Sequence, residues 1–62
     1  MLTEIENAFS AIDLAEDLTW EVIERHVEDR NLSSLLIATE KLQNLARARR
    51  ALDKMLDVVS AS

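Results

Sequence analysis

Acidic residues recur at helical spacing along the first half of the chain, at Glu6, Asp13, Asp17, Glu21, Glu24 and Glu28, with Ser10 filling the one gap in the row. Apolar residues keep to the other side, at Ile5, Ala8, Phe9, Ile12, Ala15, Leu18, Trp20, Val22, Ile23 and Val27. An α-helix repeats every 3.6 residues, so a row whose phase holds for about six turns predicts one amphipathic helix from about residue 4 to 30. Thr3 followed by Glu6 suits a capping box at its start, and Glu4 and Glu6 suit the positive end of the helix dipole. A competing pattern has Thr19 capping a new helix, stapled by Leu18 and Ile23, after a break near Asp17. The acidic row argues against it, because a turn there would reset the phase. Leu14 is the misfit, falling toward the polar side, where exposure or a second partner accommodates it.

In the second half Leu35, Ala38, Leu42, Leu45, Arg49, Leu52, Leu56 and Val59 follow alternating steps of three and four. That is a heptad seam with one interruption, and it predicts a helix from about 34 to 59. Ala46, Ala48 and Met55 widen the seam, while Ile37, Ala51 and Val58 extend it to one side, giving more apolar surface than one partner helix covers. Asn31 to Ser34 hold the turn: Asn tolerates a left-handed helix end, Ser33 or Ser34 can cap the next helix, and Leu32 is expected to tuck under the loop.

The fold class is therefore all-α, an antiparallel two-helix hairpin forming a single domain over 1–62, and it is expected to dimerise into a four-helix bundle. In such a hairpin, residues whose numbers sum to about 64 or 65 face one another. Ile5 then meets Val59, Phe9 meets Leu56, Ile12 meets Leu52, Trp20 meets Leu45, and Ile23 meets Leu42. Glu16 breaks the apolar face of the first helix, Arg49 breaks the seam of the second, and the rule pairs them as a core charge pair that fixes register. The expected core and dimer interface is Phe9, Ile12, Trp20, Ile23, Leu42, Leu45, Leu52 and Leu56.

Composition sharpens the case for assembly. A 62-residue chain that is 48% hydrophobic has no cysteine for a disulfide or thiolate metal site, and its one His is a poor basis for structural zinc. At this size a monomer buries too little surface without a staple, so oligomerisation is the remaining remedy. The absence of Gly and Pro favours helix throughout. No apolar run reaches membrane-spanning length, and the N-terminus lacks the pattern of a signal peptide, so a cytoplasmic location is expected. Residues 1–32 carry nine acidic and two basic groups, and residues 33–62 carry three acidic and five basic. Arms of opposite sign attract, which steers pairing more than it stabilises.

The chemistry on the outside is sparse. Glu21, Glu24 and Glu28 share a helix face, but carboxylate metal sites in bundles point into the core, and this row points away from it. His26 borders the apolar face near the turn, with Asp29 three residues on and no Cys, Ser or second imidazole placed for nucleophilic chemistry. It is expected to pack at the edge near Ala38 and Thr39. No catalytic residue, cofactor site, metal site or small-molecule substrate is expected.

The outward row of the second helix is Glu40, Gln43, Arg47, Arg50, Lys54 and Asp57, in which Arg47, Arg50 and Lys54 make a small basic patch that a two-fold dimer would present twice. In architecture, length and charge the chain resembles the Rop family of plasmid copy-number regulators, dimeric four-helix bundles that bind paired RNA loops. The resemblance implies RNA binding, but no motif matches residue by residue and it carries over no site, so the basic patch is the alternative's candidate contact for RNA or DNA on its own chemistry. The acidic net charge, the flanking Glu40, Asp53 and Asp57, and the lack of a neighbouring exposed aromatic all count against it. The favoured expectation is a small non-enzymatic regulatory or adaptor module, a homodimer that also offers a helical face to a protein partner and does not engage membranes. Its size suits a phage or plasmid accessory protein.

Overall fold

The computed structural model describes residues 1–61, which form two α-helices, α1 (Leu2–Glu28) and α2 (Leu32–Ala61), with no strand among the described residues. α1 starts two residues earlier than the pattern predicts. Met1 is its N-cap without a side-chain cap bond, and the Met1 carbonyl accepts from the Ile5 amide at 3.1 Å. Thr3 thus lies within the first turn, and the Thr3–Glu6 capping box does not form. The terminal ammonium instead sits 3.7 Å from the Glu4 carboxylate. Nothing in the first residues resists helical geometry, so the helix extends to the chain's start. It also continues unbroken past Asp17, and the Thr19 hydroxyl, rather than capping a new helix, donates to the Ala15 carbonyl at 2.7 Å.

Residues 29–31 reverse the chain. Asp29 ends α1 in right-handed geometry, and Arg30 follows with φ 55°, the left-handed conformation expected of Asn31. The Arg30 amide donates to the Val27 carbonyl at 3.2 Å and the Asn31 amide to the His26 carbonyl at 3.0 Å, which satisfies two carbonyls that the helix end leaves open. Asn31 takes the capping role expected of the serines: its Oδ1 accepts from the Ser34 amide at 3.2 Å, and its carbonyl from the Leu35 amide at 3.0 Å. α2 therefore begins at Leu32 rather than 34. Leu32, at its first position, points outward and is 67% exposed, not tucked under the loop.

A three-residue link lays α2 back along α1, so the Cα atoms span 49 × 15 × 10 Å. The seam of α2 matches the sequence pattern, with Ala38 buried and Leu35, Leu42, Leu45, Arg49, Leu52, Leu56 and Val59 half-buried. On α1 the contact line is Ile5, Ile12, Thr19 and His26 at steps of seven, with Ile23 beside it. Ile5, Ile12 and Ile23 are buried, and Phe9, Ala15 and Glu16 are half-buried. Trp20 is not in the hairpin's interior. It is 51% exposed, and Thr19 rather than Trp20 shares a groove with Leu45. The apolar arc of α1 is wider than one helix can cover, and the tight middle takes the smaller side chain.

Candidate interaction surface

Two flanks border the seam, and they differ in chemistry. On α1 one flank carries Ala8, Ala11, Ala15, Leu18 and Val22, while the other carries Phe9, Asp13, Glu16, Trp20 and Val27; each set steps along the helix by three, four or seven. Leu18 and Val22 face Ile37 and Lys41 of α2 across a groove of about 270 Å³ whose floor includes Ala38 and whose turn end is closed by His26 and Ser34. A shallower hollow between Ala15, Thr19, Lys41, Asn44 and Leu45 shares Thr19 and Lys41 with it, so the groove continues toward the middle of the hairpin. Leu18 is 52%, Val22 41% and Ile37 57% exposed, and further along Leu14, Met55 and Val58 are also exposed. Lys41 was no part of the expected interface. Its place there follows from Ile37 and Asn44, four before and three after it on the same row.

The opposite flank is interrupted by charge. Arg49 Nε donates to Glu16 Oε1 at 3.1 Å, and Arg49 Nη2 bonds both Glu16 Oε1 and Asp13 Oδ1. The pairing of 16 with 49 obeys the expected register. The cluster is not a core pair, however: the Arg49, Glu16 and Asp13 side chains are 35%, 26% and 63% exposed. The guanidinium leans to the edge of the seam, where its carbon lies 6.0 Å from the centre of the Phe9 ring and where Asp13, three residues before Glu16, also reaches it. Hydrogen bonding to Glu16, then to Asp13, raises the Arg49 pKa above its ordinary value against a smaller opposing effect of desolvation.

The remaining candidates lie apart from both features. Arg47, Arg50 and Lys54 are exposed on the outer side of α2, as are Glu21, Glu24 and Glu28 on α1. Among the described residues no group of three or more His, Asp or Glu is placed to hold a metal ion. Among the described residues no helix is long and apolar enough to cross a membrane. No family model matches the chain, and neither the curated proteins nor the solved structures give a significant match.

Proposed function

We propose that this chain is a cytoplasmic, non-enzymatic regulatory or adaptor module that acts through helix–helix contact and self-associates into a dimer with a four-helix core. The observation that carries this reading is an unfinished core. The chain exposes 4947 Å², whereas a compact monomer of its 7.0 kDa mass exposes about 4,000 Å². The excess, roughly 900 Å², is close to the ~800 Å² that each partner contributes to a standard protein interface. Among the described residues the buried apolar ones are Ile5, Ile12, Ile23 and Ala38, while Leu14, Leu18, Trp20, Ile37, Met55 and Val58 are exposed. A second hairpin supplies the missing layer without refolding either arm.

Sedimentation tests this directly. We expect a dimer at micromolar concentration and a midpoint of thermal unfolding that rises with concentration, as mass action requires. A monomer whose midpoint ignores concentration would remove the proposal. The rival is a Rop-like nucleic-acid regulator, favoured by the exposed alignment of Arg47, Arg50 and Lys54. The two readings separate by salt: phosphate contacts weaken steeply as salt rises, and an apolar helix contact does not.

A further inference from the structure

We infer that the second copy docks on the flank of Leu18, Val22 and Ile37, with α1 of one hairpin lying antiparallel along α1 of the other. This rests on the dimeric reading above and specifies its surface and register. Two flanks are available, and charge decides between them. Covering the Phe9 and Trp20 flank would take the Asp13–Glu16–Arg49 cluster out of water, with two carboxylates against one guanidinium, and the desolvation of a net charge opposes that. The Leu18 flank carries one inner charge, Lys41, beside the groove, and its flexible four-carbon stem lets the ammonium reach the rim, whereas Arg49 is tied in place by its carboxylates.

Orientation follows from side-chain size. The midpoint of α1 is residue 15, so a two-fold axis through the middle of the contact brings together α1 residues whose numbers sum to about 30. Ala15 then meets Ala15 of the other copy, Leu18 meets Ala11 and Val22 meets Ala8, large against small along the whole contact. The same rule sets Glu4 of each copy opposite Arg25 of the other, both exposed in the single hairpin, which closes the two ends of the contact with opposite charges. If the turns lay at the same end, the two Lys41 ammonium groups would share one level of an apolar face. Reversing one hairpin sets them about 24 Å apart along the axis. The acidic row of α1 lies on the far side of the helix from Leu18 and Val22, so two acidic arms meet here without bringing those carboxylates together.

The chain has no cysteine, so single cysteines report position without background. Ala15→Cys is expected to oxidise to a disulfide-linked dimer, and a mixture of Ala11→Cys with Leu18→Cys to a cross-linked pair of the two, because the α-carbons at these positions fall within disulfide reach. In unmodified protein, held where sedimentation shows dimer, Trp20 should stay open to acrylamide quenching, since it lies on the uncovered flank; this needs no variant to fold. A dimer in which the Ala15→Cys variant stays helical but forms no disulfide link, or one in which Trp20 is shielded, overturns the face and register and leaves the dimeric reading standing. A monomer in sedimentation overturns both.

Discussion

Arg49 is where the seam's apolar rule is broken, and the bonds around it show how one cation tolerates that position. Glu16 accepts from both Nε and Nη2, whereas Asp13 accepts from Nη2 alone and is the more exposed of the two. Replacing Arg49 with Leu leaves the two carboxylates facing each other with no cation, so the variant should be less stable. Glu16→Leu combined with Arg49→Leu should recover part of the loss, with Asp13 left in water. Urea unfolding of the two double-mutant cycles should give stronger coupling for Arg49 with Glu16 than with Asp13, and no coupling in either would show the cluster to be incidental. The raised Arg49 pKa gives a stabilisation that is full below the ordinary arginine value and fades only as pH rises through the folded-state value. Moderate alkali should therefore leave it intact.

At the scale of the elements, what the sequence made legible was periodicity, and what it hid was local competition. The α2 seam from Leu35 to Val59 was readable residue by residue because its apolar positions hold heptad spacing and nothing rivals them. Trp20, expected opposite Leu45, lies outside the hairpin's interior because α1 is apolar over an arc broader than one contact, and pattern alone does not say which part of that arc α2 covers. The Arg49 and Glu16 pairing was legible from two irregularities under one antiparallel rule; Asp13 was not, since it belongs to the acidic row by spacing. The turn misled for a different reason. Asn31 suits a left-handed end and a cap equally, and taking the cap it passes the left-handed position to Arg30. A residue with a Cβ is disfavoured there, so Arg30→Gly should stabilise the fold by about 0.5–1 kcal/mol, after allowing for the greater freedom of glycine in the unfolded chain. A lowered urea midpoint in that variant would mean that the arginine side chain contributes more than its backbone costs.

At the scale of the whole molecule, the hairpin is extended rather than compact. Its radius of gyration is 14.6 Å, against roughly 11 Å for a compact chain of this length. Residues that touch neither the seam nor the groove should then matter little to folding. Changing Arg47, Arg50 and Lys54 together to Gln is expected to leave the melting midpoint within a few degrees, as for surface positions generally. Collapse of the fold in that variant would place the basic row inside an assembly instead of outside it.

The reversal at Arg30 also sets how long this molecule is. No glycine or proline interrupts the 62 residues, and residues 29–31 alone keep α1 and α2 from joining end to end. If Arg30 relaxed to right-handed geometry the two arms would fuse into a rod of about 90 Å. In such a rod the α1 contact line, at steps of seven, would run on from His26 to Ser33, Glu40, Arg47 and Lys54, which are exposed residues of α2 and not its seam. Two rods laid antiparallel would cover one seam or the other but not both, and the two come into register only when the chain turns back. Arg30→Ala, which removes the side chain and keeps the backbone penalty, should therefore leave the small-angle scattering profile at high concentration unchanged. A longer particle in that variant would show that the arginine side chain, and not the phase of the two seams, sets the length.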